Sequence, residues 1–186
     1  MAQLPVYGLT LRKNLRTIMK ITHIWVKWRS FMSACTFFGH SDCYRLDEDM
    51  LRRTIEDLIE QGVDTFYVGN HGNFDCAVFS CLLKLKDRYP HISFAVVLAY
   101  LPTQKPEYDI YHGYSMYPEI EEGPQRFAIE RRNKWMIQAS DWCVVQIDRT
   151  FGGAYKFARM AKNRGLQVIN LGSVVIEGNP RRGKNE

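Results

Sequence analysis

Short apolar runs alternate along this chain with segments of helical period, and that alternation restricts the fold more than any other feature. Residues 34–38 form an apolar, β-branched run that stops at Gly39. From Asp47 the period changes: Leu51, Ile55, Leu58 and Ile59 fall on one helical face, with Asp47, Glu48 and Asp49 at the start and Gly62 at the end. A strand over 65–69, a helix over 74–89 ended by Pro90, and a nearly continuous apolar strand over 93–99 follow. Residues 100–123 show no period, contain three prolines and five tyrosines, and read as a lid-like loop. A helix over 125–140, a strand over 142–147, a helix over 153–164 and a strand over 167–171 complete the pattern. The expectation is an α/β fold with a single doubly wound, mostly parallel sheet and helices on both faces.

The 186 residues suffice for one such domain. The net charge of +5 suggests a phosphate-bearing partner or an anionic surface, but it is unevenly placed. Residues 1–31 hold Arg12, Lys13, Arg16, Lys20, Lys27 and Arg29 and no acid, a charge of +6, while 32–186 set 19 Lys and Arg against 20 acids, a charge of −1. The first segment has readings as a basic amphipathic helix on anionic lipid, as a presequence, or as an extension outside the domain. We expect the last, poorly ordered or an over-called upstream start, with the domain over 32–176 and a flexible tail over 177–186. No apolar run is long enough for a membrane span, so no integral membrane contact is expected. Five cysteines without C-x-x-C spacing argue for reduced thiols and a cytoplasmic protein, and against a zinc site.

In an open parallel sheet, ligands bind outside the carboxyl ends of the strands. Those ends carry Gly39-His40-Ser41-Asp42, then Gly69-Asn70-His71-Gly72-Asn73-Phe74-Asp75, then Phe151-Gly152-Gly153 opening a helix. Glycines let a ligand approach the backbone, and a helix start offers free N–H groups to a phosphate. Each loop is also what a tight strand-to-helix turn needs; their convergence on one edge favours a site. His40 and His71 lack the spaced partners of a metal site, so no metal and no cofactor are expected. Asp42 could cap a helix. Asp75 could accept from a ribose hydroxyl or simply cap its helix. Arg132, three after Ile129 and four before Met136, falls on or beside the inward face, as a strand-end cap or as an anion clamp. The dinucleotide, P-loop and nucleophile-elbow motifs are absent, which disfavours the usual dehydrogenases, NTPases and α/β-hydrolases.

The segments Cys35-Thr36-Phe37-Phe38-Gly39-His40, Gly69-Asn70-x-Gly72-x-Phe74-Asp75, Leu85-Lys86-x-x-Tyr89-Pro90, Arg132-Asn133-x-x-Met136-Ile137-x-x-Ser140-Asp141 and Gly152-Gly153 together resemble the YpsA-like branch of the SLOG superfamily, over about residues 34–171. The resemblance implies a Rossmann-like fold and a nucleotide-derived ligand at the strand ends. Relatives include DprA, which binds single-stranded DNA, the LOG-type phosphoribohydrolases, and nucleotide sensors. Arg132-x-x-x-Met136 and Asp141 match the first LOG segment. The glycine motif departs: Gly152-Gly153 lead into Ala154-Tyr155-Lys156, without the family's Gly-Thr and glutamate. Glycosidic cleavage needs a carboxylate or equivalent, so binding or sensing is expected rather than hydrolysis.

The expected ligand-binding set is Gly39, His40, Asp42, Gly69, Asn70, Gly72, Asp75, Arg131, Arg132, Asn133, Gly152 and Gly153. Arg131, Arg132 and the Gly153 helix start would hold phosphate. Three alternatives stand beside this reading. The first is a nucleoside-monophosphate phosphoribohydrolase in which Asp42, Asp75 or Glu130 replaces the glutamate. The second is an interaction protein with a degenerate pocket, pairing with a protein partner or with itself. The third is a DNA binder, which the acidic balance of 32–186 weakens.

Overall fold

The computed structural model describes residues 33–43, 46–100, 111, 113–118 and 123–178. The expectations for segment 1–31, for the tail from 179 and for most of the 100–123 loop lie outside them.

Six strands form one sheet in which every pairing is parallel: β1 (Ser33–Gly39), β2 (Val63–Val68), β3 (Ser93–Val97), β4 (Ser115–Met116), β5 (Trp142–Gln146) and β6 (Gln167–Asn170), in the order β4-β3-β2-β1-β5-β6. Four helices connect them: α1 (Glu48–Glu60), α2 (Asn73–Arg88), α3 (Ala128–Gln138) and α4 (Gly153–Arg164). The expected architecture is present, and the sheet is more uniform than "mostly parallel".

The alternation of side chains along the strands sorts the core into two layers. Cys35 and Phe37 of β1 and Val144 of β5 face one way, against Leu51, Ile55 and Leu58 of α1 and Val78 and Leu82 of α2. Phe38, Cys143 and Val145 face the other, against Met136 and Ile137 of α3 and Phe157, Ala158 and Ala161 of α4. Burial raises the thiol pKa of both Cys35 and Cys143, which suits small apolar core residues rather than nucleophiles. Within the described residues no helix is long and apolar enough to cross a membrane.

Local chemistry sets the element ends. Asp47 caps α1 by accepting from the Met50 N–H at 2.9 Å. The helix expected over 125–140 begins with a 3₁₀ turn over Gln125–Phe127 before α3. Strand β4 falls inside the stretch read as a loop without structure: Ser115 and Met116 pair with Val96 and Val97, and Tyr114 stacks on Phe94 with ring centroids 4.4 Å apart. Two residues are too few to show a period of two, so neighbouring aromatic packing, and not local pattern, defines this edge strand.

The strand order fixes where a ligand can enter. From β1 the chain steps through β2 and β3 to β4 on one side, and β5 and β6 lie on the other. The order therefore reverses between β1 and β5, and a crevice opens outside their carboxyl ends.

Candidate functional site

A cleft of about 240 Å³ occupies that crevice. It is lined by the ends of β1 and β2, the first turns of α2, α3 and α4, and the loop after β5. Gly39, His40, Gly69, Asp75, Arg132, Asn133, Gly152 and Gly153 of the expected set line it.

Arg132 is the deepest cation, 2% exposed. Its position in α3 carries it inward with Met136, and its Nη1 donates to the Val97 carbonyl at 2.9 Å and to Asn70 Oδ1 at 3.1 Å. Its Nε is buried and unpartnered. Asn70 thus stands behind Arg132, outside the cleft lining. Burial works against the charge of Arg132, and Asp75 works for it; a guanidinium stays protonated under that load.

Asp75 is the cleft's carboxylate. Its Oδ2 accepts from the His71 N–H at 2.8 Å, closing the loop ahead of α2. Burial raises its pKa to about 6, outweighing this hydrogen bond and the Arg132 charge. Of the three carboxylates named as substitutes for the family glutamate, only Asp75 lines the cleft. Glu130 is held outside by Lys134 and Lys156, each at 2.9 Å.

His40 is 7% exposed and its Nε2 has no partner. Burial lowers its pKa and Arg149 adds to the effect, so the neutral ring is favoured. A backbone hydrogen bond at Arg149 engages the ring, which leaves Nε2 of the neutral ring as an acceptor for a hydroxyl.

The start of α4 closes the cleft. Gly152 is its N-cap at φ +92° and offers no side-chain cap, so the first N–H groups of the helix carry no protein side-chain acceptor. A Cβ at Gly153 would meet nothing within 4 Å. This glycine leaves open space at the helix start. Three other loop glycines answer to packing. A Cβ on Gly39 would collide with the Phe74 ring, one on Gly69 with the Asp75 carboxylate, and one on Gly72 (φ +100°) would stand 2.6 Å from Ser41 Cα.

Four expected residues, Asp42, Asn70, Gly72 and Arg131, lie outside the lining. Arg131 is not in the lining; it donates to the carbonyls of Gly123 and Pro124 at 3.1 and 3.0 Å. At about 100° per residue, Ile129, Arg132 and Asn133 share the face of α3 that lines the cleft, and Arg131 falls on the other side. Asp42 sits on the rim, holding Arg149 through two hydrogen bonds of 2.8 and 2.9 Å. Arg149 lines the cleft and was missed, since a single arginine after a strand carries no spacing signal and its partner is 107 residues away. Asp141, which matches the LOG acid, lies at the opposite edge of the sheet, where it accepts from the Ala34 N–H at 3.2 Å. Among the described residues no three His, Cys, Asp or Glu are grouped to hold a metal ion.

No family model and no curated protein matches the chain. Two solved structures share its fold. DNA processing protein A from Helicobacter pylori, described for its single-stranded DNA binding mode, superposes with a TM-score of 0.57 at 14% identity, covering 82% of this chain and 71% of that one. DNA processing protein A (DprA) from Streptococcus pneumoniae gives a TM-score of 0.57 at 16% identity; the likeness covers 79% of this chain and spans about half, 53%, of that one. At such identities the likeness shows a shared fold: the chain has a Rossmann-like α/β architecture like that of the two DprA structures.

Proposed function

We propose that this chain binds a nucleotide-derived ligand at the carboxyl edge of its sheet, with a phosphate at the start of α4 and a sugar beside His40 and Asp75. One observation carries the reading: three buried nitrogens without partners, Arg132 Nε, Arg149 Nε and His40 Nε2, belong to residues that line the same cleft as a helix N-terminus without a side-chain cap. Buried polar groups in native proteins are normally paired. The arginine donors suit an anion and the His40 acceptor suits an adjoining hydroxyl, the chemistry of a sugar phosphate. The reading keeps the domain at 32–176, in the cytoplasm and beside the YpsA-like branch, whose Gly69-Asn70-x-Gly72-x-Phe74-Asp75 motif contributes Gly69 and Asp75 to the cleft. It is a reading of binding rather than turnover, because the cleft is lined by one carboxylate and glycosidic cleavage commonly uses two.

Thermal-shift measurements with AMP, GMP, CMP, UMP and ribose 5-phosphate test it. Nucleotides are expected to raise the melting temperature by an amount that grows with the logarithm of ligand concentration above the Kd. If none does so at millimolar concentration, the reading falls.

The fold likeness to the Helicobacter pylori protein favours a second reading, single-stranded DNA. It would show as affinity that grows with oligonucleotide length and falls steeply with salt. The nucleotide reading expects one nucleotide to bind as well as ten.

A further inference from the structure

At about 240 Å³ the cleft falls below the volumes that usually enclose a small-molecule ligand. A phosphate and a sugar fill it. A base attached to that sugar has to leave the cleft, and its surroundings decide where it goes.

A groove of about 520 Å³ begins where the cleft ends. Gly152 lines both, and the groove continues along the outer side of α4 past Phe151, Tyr155, Lys156 and Arg159. No Asp or Glu is among its lining residues. Phe151 is 68% exposed. Each of the two rings stands near a guanidinium: Arg149 lies 5.3 Å from the Phe151 centroid and Arg159 lies 5.9 Å from that of Tyr155. Arg149 lines the cleft as well, so one side chain connects the phosphate end to the exposed ring. Exposed aromatic rings interleaved with cations are how proteins hold unpaired bases: the ring stacks and the cation meets the electron-rich π face or an adjoining phosphate.

We propose that the groove on α4 is the base-recognition half of the site. A nucleobase leaving the cleft past Gly152 stacks on Phe151, with Tyr155 and Arg159 beyond it. Stacking accepts every base because each has a π face, so the groove supplies affinity for a nucleotide over a bare sugar phosphate without choosing strongly among the four bases. The proposal rests on the phosphate reading above and adds the position and chemistry of the base.

The test is calorimetric titration of the full chain and of Phe151→Ala and Phe151→Tyr with ribose 5-phosphate, AMP and CMP. The unaltered chain is expected to bind both nucleotides about tenfold more tightly than ribose 5-phosphate, the gain typical of one stacked base. Phe151→Ala is expected to bring nucleotides and ribose 5-phosphate to the same affinity, and Phe151→Tyr to restore the difference. Because the Phe151 ring is exposed, the change leaves the core intact, and an unchanged melting temperature verifies that. If ribose 5-phosphate binds but nucleotides gain nothing, or if their gain survives Phe151→Ala, the groove is not the base site and the phosphate reading stands. If none of the three ligands binds, both proposals fall.

Discussion

Arg132 Nη1 donates to the carbonyl of Val97 across 2.9 Å, so the second turn of α3 is tied to the end of β3. One nitrogen of the guanidinium anchors the helix while another, Nε, is left buried without a partner. Arg132→Met would remove both functions. The Val97 carbonyl would lose its donor, a loss of about 2 kcal/mol for a buried acceptor. Urea denaturation should show that loss, and the thermal shift with AMP should vanish. A shift that survives the substitution would remove Arg132 from the binding site.

Asp75 makes stability depend on pH in a defined direction. Its folded pKa is raised to about 6 against an ordinary 3.8, so the native chain holds the proton over an interval in which the unfolded chain has released it. Stability contributed by this group is therefore greatest near pH 4 and declines as pH rises through 6, by about 3 kcal/mol. Asp75→Asn has no proton to release, and its amide oxygen can still accept from the His71 N–H. Urea midpoints of the variant should be flatter between pH 4 and 7 and higher than those of the unaltered chain at pH 7. Parallel profiles would exclude Asp75 as the titrating group.

In the proposed site, Asp42 would compete with a ligand phosphate for Arg149. Both terminal nitrogens of that guanidinium already bind the Asp42 carboxylate, and the pair is exposed to solvent, where such contacts are weak. Asp42→Asn would free Arg149 and remove a negative charge from the rim. Ribose 5-phosphate is expected to bind about threefold more tightly, and the variant to be more sensitive to salt. Weaker binding would mean instead that Asp42 holds Arg149 in its binding pose.

Two glycines separate packing from ligand space. Gly69→Ala puts a methyl group against the Asp75 carboxylate and near Arg132 Nη1, which should cost about 2 kcal/mol through forced rearrangement. Gly153→Asp meets no protein atom within reach of its Cβ and places an acid at a helix start, which favours folding. It should leave the melting temperature unchanged or higher and abolish phosphate binding. If Gly153→Asp still binds ribose 5-phosphate, the start of α4 is not the anion site.

Much of this was legible in the amino-acid order because the layers are regular. Leu51, Ile55 and Leu58 announce α1 by period, and the apolar run in β3 announces a strand covered on both faces. The glycine loops could be assigned to one edge of the sheet because a parallel sheet leaves them no other place. What escaped detection depends on tertiary contact. Strand β4 exists because Tyr114 finds Phe94, and Arg149 enters the site because Asp42 is brought to it from another strand end. Gly39 and Gly72 read in the sequence as places of ligand approach, and the structure sets Phe74 and Ser41 against them. The helical spacing that sets Arg132 beside Ile129 and Asn133 puts Arg131 on the other side of α3, on the carbonyls of Gly123 and Pro124.

The reversal of strand order between β1 and β5 has a consequence for how the chain acquires its site. The cleft draws on segments near residues 40, 70, 132 and 152, which meet only after both halves of the sheet have docked around β1. Parallel pairings between such distant segments form slowly, so ligand competence should be among the last properties to appear during refolding. A bound nucleotide would then report on completeness: partly assembled chains, however helical, should be blind to it, and recovery of binding should lag recovery of circular dichroism.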